Sequence, residues 1–189
     1  MKLSIVVLLV VILAVFFFIS RSSDEFDIKI DSNNEYVIEN SDFNFRYQLA
    51  DSYLSMEGVG IFLQYIENPV EYGGTLIRLM YLDNSAAQIH ADKYGVTGGC
   101  PAPFLNKYGK EKWIYASSIP LKDQILELDL PNYNHPQTWQ KISIRGKCIQ
   151  SQISGKDKGD GAPLMLPDSH FNNCRSLLVD NLVVYPFYN

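Results

Sequence analysis

Apolar and polar positions divide the chain into two unlike parts. Leu3–Ile19 is an apolar run of 17 residues in which only Ser4 is polar. Such a run close behind Met1 and Lys2 reads as a signal peptide or an uncleaved signal-anchor. Ser20 and Ser22 offer small residues for a cut before Ser23, whereas Phe16–Phe18 near the end of the run suit an anchor. Either way residues 1–22 are a targeting segment. Lys2 ahead of the run and Asp24, Glu25 and Asp27 soon after Arg21 direct the remainder out of the cytoplasm.

Residues 23–34 (SDEFDIKIDSNN) are polar and acidic and read as a short stalk, with a first strand at Phe26–Ile30. From residue 35 onward, short apolar runs are broken by Gly, Pro, Asn and Asp at spacings typical of all-β proteins. The predicted strands are Tyr36–Glu39, Phe43–Ala50, Val59–Ile66, Thr75–Leu82, Ala87–Ala91, Lys112–Ser117, Gln124–Leu130, Thr138–Ile149 and Arg175–Tyr185. No long stretch carries helical periodicity, and no internal repeat is visible.

The alternation also assigns faces. In Gln124–Leu130, Leu126, Leu128 and Leu130 share one face and Glu127 and Asp129 the other. In Thr138–Ile149, Ile142, Ile144, Gly146 and Cys148 oppose Lys141, Ser143, Arg145 and Lys147. Pairing of these two strands would set an acidic row against a basic one, with Glu127–Lys141 contacts worth about 0.2–1 kcal/mol each. Thr75–Leu82 and Arg175–Tyr185 are apolar on both faces, as central strands covered on both sides are. The sum is an all-β domain over 35–189, expected as a two-sheet antiparallel β-sandwich behind one N-terminal hydrophobic helix.

Composition narrows the function. Lys and Arg number 16 against 21 Asp and Glu, a formal charge of −5. Without Lys2 and Arg21, residues 23–189 carry −7, a field that repels phosphate and excludes nucleic acid as the expected partner. The aromatic fraction of 13 %, with 12 Tyr and 10 Phe, favours sheets over helical bundles. Three Cys are too few for a disulfide-built scaffold. In an oxidising compartment one pair is expected. Cys148 ends one predicted strand and Cys174 precedes the last, so antiparallel neighbours would bring them together; Cys100–Cys174 is the competing pairing.

Three segments carry a family resemblance: YGGTLIRLMYLDNSAAQIHA (Tyr72–Ala91), TWQKISI (Thr138–Ile144) and LLVDNLVVYP (Leu177–Pro186). Together they resemble the jelly roll of galactose-binding-like domains, which include many carbohydrate-binding modules. The resemblance implies a β-sandwich of jelly-roll type. It also implies a role for Asp180 in a structural calcium site, with oxygen ligands from Glu39, Glu35 or Asp42 near the first strand.

The residues offer their own candidates. Trp139 falls by parity on the polar face with Lys141 and Arg145, near Asp129, where an indole could stack on a sugar ring while the charges bond its hydroxyls. A bulge at Thr138 would instead turn Trp139 into the core. Tyr133 and Asn134 sit beside His135 in the loop PNYNHPQ, of the kind that forms sites at one end of a sandwich. ELDLP (Glu127–Pro131) resembles the start of the E-x-D-x-E catalytic strand of jelly-roll glucanases, but Pro131 stands where the third acid belongs. No G-x-S-x-G, H-E-x-x-H, C-x-x-C or P-loop occurs, and His90, His135 and His170 form no ligand pattern. The expected function is therefore non-catalytic binding of a carbohydrate or envelope polysaccharide by a membrane-tethered or secreted domain. The runner-up is an envelope assembly protein that binds a protein partner, and a jelly-roll polysaccharide hydrolase or lyase comes third.

Overall fold

Alternating apolar residues make most of the predicted strands real. The computed structural model describes residues 26–66, 68–95, 98–128 and 140–186. Within them lie β1 (Asp27–Ile30), β2 (Glu35–Glu39), β3 (Phe43–Tyr65), β4 (Ile77–Asp83), β5 (Lys110–Ala116), β6 (Gln140–Asp157) and β7 (Ser176–Pro186). The fold is predominantly β. The polar segment 23–34 is more than a stalk, because β1 pairs with β2 from Asp27↔Glu39 to Ile30↔Tyr36. Residues 1–22 lie outside the described residues, among which no helix is long and apolar enough to cross a membrane.

The strands form one sheet in the order β1-β2-β3-β4-β5-β7-β6, and β6 returns to pair with β3. Strands β3, β4, β5, β7 and β6 thereby close into a ring. The expectation of two separate antiparallel sheets is corrected on two points. Among the described residues there is a single hydrogen-bonded sheet, and β5 pairs with β7 in parallel, from Trp113↔Ser176 to Ala116↔Val179. The physical reason is the length of β3 and β6. The predicted strands Phe43–Ala50 and Val59–Ile66 are two halves of β3, which runs on through Asp51–Ser55 because β6 pairs with it on both sides of an irregularity, from Phe43 to Leu49 and again from Tyr53 to Gly60.

The two halves face different cores. In the first half of β3, Phe43, Phe45, Tyr47 and Leu49 pack with Tyr36, Ile38 and Ile149. Further along, Leu54 and Met56 on the opposite face pack with Ile142 and Ile144 inside the ring. Register irregularities between Leu49 and Tyr53 bend the β3–β6 ribbon where the buried face changes. Strands β5 and β7 form the wall between the cores. Ile114, Ala116, Leu177 and Val179 point into the ring, and Trp113, Tyr115 and Leu178 point to the second core. The expectation that the last strand is covered on both sides holds for Leu177–Val179, and β5 shares that position. Two tyrosine hydroxyls lock the second core to the backbone: Tyr36 donates to the Ala116 carbonyl and Tyr47 to the Gly73 carbonyl, both at 2.5 Å.

Two predicted strands are helices. Ala87–Ala91 lies in α1 (Asn84–Tyr94), which starts where the Asp83 carboxylate accepts from the Ala86 N–H at 2.9 Å. Gln124–Leu130 overlaps α3 (Ile119–Leu126), capped by the Ser118 hydroxyl with Pro120 in its first turn. Leu121 and Ile125, one turn apart, close the ring core, while Leu126 is half-exposed. The period-2 reading of Leu126 and Leu128 was thus accidental: the helical spacing Leu121–Ile125 decides. Glu127 sits at the helix end, so it makes no cross-strand row with Lys141 and starts no catalytic strand. Strand β6 pairs with β3 and β7 instead. Helix α2 (Ala102–Tyr108) and α1 pack on the outside of the ring through Phe104, Leu105 and Ala86 against Val59 and Leu82. His90 is buried among them, in contact with Tyr94 and Phe104.

Ring closure needs close backbone approach at two glycines of β3. A Cβ on Gly58 would lie 2.1 Å from the Leu82 carbonyl oxygen, and one on Gly60 would lie 2.9 Å from the Ile142 side chain. Gly58→Ala is expected to lower stability by about 2 kcal/mol or more, because the obstacle is backbone and cannot rotate away; urea denaturation measures it. The predicted pair Cys148–Cys174 is the disulfide, with Cα atoms 5.0 Å apart, and Cys100 is the free thiol. It closes a loop of sequence separation 26, so a reductant, or Cys148→Ser with Cys174→Ser, is expected to cost about 3 kcal/mol. Thermal melts with and without reductant check this.

Candidate functional site

Where β4 ends, β3 continues. Their pairing starts at Gly58↔Asp83, so Leu54–Glu57 has no β4 neighbour and faces the start of β5 and the segment 169–175 across a gap. The gap is a cleft of about 950 Å³ at the mouth of the ring. Its floor is apolar: Leu54, Met56 and Tyr81 are continuous with the ring core. Its rim is polar and supplied by KEK at the head of β5, by Asp83, and by Ser169, Asn172 and Asn173.

Each rim charge has a defined place. Lys110 Nζ bonds Asp83 Oδ2 at 2.8 Å. The Glu111 carboxylate accepts from Arg78 at 2.8 Å and from Arg175 at 2.5 Å. Burial opposes ionisation of Glu111, but the hydrogen bonds and charges of the two guanidinium groups outweigh it and hold the carboxyl down to about 2. Lys112 lies opposite Leu79 in register, on the face of β5 that carries Ile114. Its ammonium emerges at the mouth and donates to the Cys174 carbonyl at 2.5 Å. Burial, and then the charge of Lys110, lowers its pKa.

The far wall is held by covalent and ring contacts. Asn173 and Cys174 both have φ of +54°, a conformation that costs non-glycine residues energy. The disulfide to Cys148 in β6 holds them there. His170 packs against Trp113 with ring centroids 4.6 Å apart and planes tilted by 43°. Burial, and then the nearby Arg175, lowers its pKa.

Of the residues singled out in the sequence, Asp129, Tyr133, Asn134 and Trp139 lie outside the described residues. Lys141 is exposed on the outer side of β6. Arg145 bonds Asp180 at 2.7 Å, and its guanidinium lies 4.0 Å from the centre of the Tyr53 ring. Glu39 is held by Lys158 Nζ at 2.6 Å and Glu35 by Arg46 at 3.4 Å, so Glu35, Glu39 and Asp180, all considered for calcium, sit in separate ion pairs, while Asp42 accepts from the Ser41 hydroxyl. Among the described residues no group of three or more His, Cys, Asp or Glu side chains is placed to hold a metal ion. Sequence reasoning missed the cleft residues Lys110, Glu111, Lys112 and Arg175, and Arg78 that pairs with Glu111. The one signal was the alternation K-E-K-W-I-Y-A, which puts Lys112 on the face of Ile114 and Ala116.

Glu111 makes the site sensitive to acid. Its folded pKa lies below its ordinary value of 4.5, so its stabilising contribution is complete above about pH 4.5 and disappears as pH falls through about 2. Allowing for the partial exposure of both arginines, Glu111→Gln is expected to cost about 1–2 kcal/mol at neutral pH. It should also flatten the loss of stability between pH 4.5 and 2, as followed by acid titration of the unfolding midpoint.

No protein-family model matches the chain, and no curated protein and no solved structure matches it either.

Proposed function

We propose that the chain is a non-catalytic binding domain of the cell envelope and that it takes a saccharide in the cleft at the ring mouth. The carrying observation is the cleft's composition: an apolar floor with Tyr81 beneath a rim of fixed hydrogen-bonding groups. A sugar needs both, an apolar surface for its C–H face and converging donors and acceptors for its hydroxyls. The rim is preorganised by the Asp83–Lys110 pair, the Arg78–Glu111–Arg175 triad and the disulfide, which limits the entropy lost on binding. Glu111 stays ionised at neutral pH, so it accepts hydrogen bonds and is not suited to donate a proton to a leaving group. The disulfide fits an oxidising compartment, and Leu3–Ile19 would tether the domain to the membrane or be cleaved to release it.

Trp139, outside the described residues, is the contact expected from the sequence. The test is a glycan array probed with the full chain in detergent, alongside Asn172→Ala with Asn173→Gly and, separately, Trp139→Ala. Glycine keeps the backbone conformation at residue 173 while deleting the amide. Binding at least about tenfold weaker in the asparagine variant, and unchanged in Trp139→Ala, is the expected result. Binding that survives the asparagine changes and vanishes with Trp139→Ala moves the ligand to Trp139. Absence of binding to any glycan overturns the saccharide reading.

A further inference from the structure

One cation at the cleft stands apart from the ion pairs of its rim. Asp83 is neutralised by Lys110, and Glu111 by two arginines. Lys112 makes no ion pair among the described residues. It is only 7 % exposed, and its bond to the Cys174 carbonyl uses one of three ammonium donors. A charge withdrawn from water without a counter-ion is costly. The cleft lining carries three cations (Lys110, Lys112 and Arg175) and three carboxylates (Glu57, Asp83 and Glu111), but none of these carboxylates pairs with Lys112, in a chain whose net charge is −5. The third carboxylate, Glu57, is exposed on the opposite face of β3 from Met56.

We infer that Lys112 is an anion subsite of the cleft, and that the ligand is an acidic saccharide whose carboxylate or sulfate group docks on the Lys112 ammonium. This rests on the saccharide reading above and adds the charge of the ligand to it. The anion would take the two donors that the Cys174 carbonyl leaves open. Ser169, Asn172 and Asn173, on the same cleft wall, would bond its remaining oxygens. Tyr81, on the floor, would carry the sugar ring. A charge-assisted bond in a cleft that is partly shielded from water gains more than the same bond on an open surface. The strained turn at Asn173–Cys174 has a use in this arrangement: it aims the Cys174 carbonyl at Lys112 and so fixes the ammonium at the mouth.

The test uses the full chain in detergent and calorimetric titration with two matched pairs of polymers. Polygalacturonate is compared with its fully methyl-esterified form, and dextran sulfate with dextran. At least one charged polymer is expected to bind about tenfold or more tightly than its neutral counterpart, and the pair showing the preference identifies the group as carboxylate or sulfate. The preference should collapse in Lys112→Gln and persist in Lys93→Gln, on helix α1. Equal binding of charged and neutral polymers overturns the inference and leaves the saccharide reading standing. A charge preference that persists in Lys112→Gln overturns it as well, since the preference then arises elsewhere. No binding of any of the four polymers by a chain that also fails on the glycan array removes the saccharide reading itself. Should Lys112→Gln fail to fold, equal binding of charged and neutral polymers by the unmodified chain still overturns the inference.

Discussion

Burial of one pair of strands on both faces is the constraint on which the rest depends. Leu177, Leu178 and Val179 of β7 and Trp113, Ile114, Tyr115 and Ala116 of β5 are all buried. Neighbouring residues in a strand point in opposite directions, so two separate cores must cover this wall. One core is the interior of the ring. The other is built by β2 and the first half of β3. A single ribbon, β3 paired with β6, serves both, and that forces the length of these strands and the bend between Leu49 and Tyr53. The parallel pairing of β5 with β7 follows from the same demand, since each lends an apolar face to either core.

The cleft is a by-product of this arrangement. A ring closed by one long strand and one short one has an open end, and β3 outruns β4 from Gly58 backwards to Leu54. The chain fills the opening with charge rather than apolar bulk. The alternation that buries Ile114 and Ala116 carries Lys112 onto the same face at the mouth, and it sends Glu111 to the side where Arg78 and Arg175 meet it. The disulfide then joins the turn before β7 to β6, whose Cys148 is in register with Leu177. Stability and site geometry are therefore coupled through Cys174, which is a disulfide partner, a strained residue and the acceptor for Lys112.

Much of the secondary structure was legible. Alternation located β2, β4, β5, β7 and the face of β6 that carries Ile142, Ile144 and Gly146, and the Cys148–Cys174 bridge followed from strand ends. Helices α1 and α3 were not, because short helices with one buried turn imitate alternation when read over five to seven residues. Their caps, Asp83 and Ser118, were the better signals. The site was hardly legible. Lys110, Glu111 and Lys112 look like a solvated charge cluster until β4, β7 and the turn at Cys174 close around them.

By itself, the sequence determined that the chain is predominantly β, that Leu177–Val179 is covered on both faces, and that Cys148 and Cys174 can meet. These are local matters of side-chain parity and of which residues avoid water. Tertiary structure alone decided that the sheet closes into one ring, that its mouth stays open, and that Lys112 lies in that mouth without a carboxylate partner among the described residues. Those outcomes depend on pairings between residues far apart in the chain, such as Met56 with Ile144 and Trp113 with Ser176. Backbone hydrogen bonds carry no residue identity, so strand partners and register emerge only when both cores are packed at once.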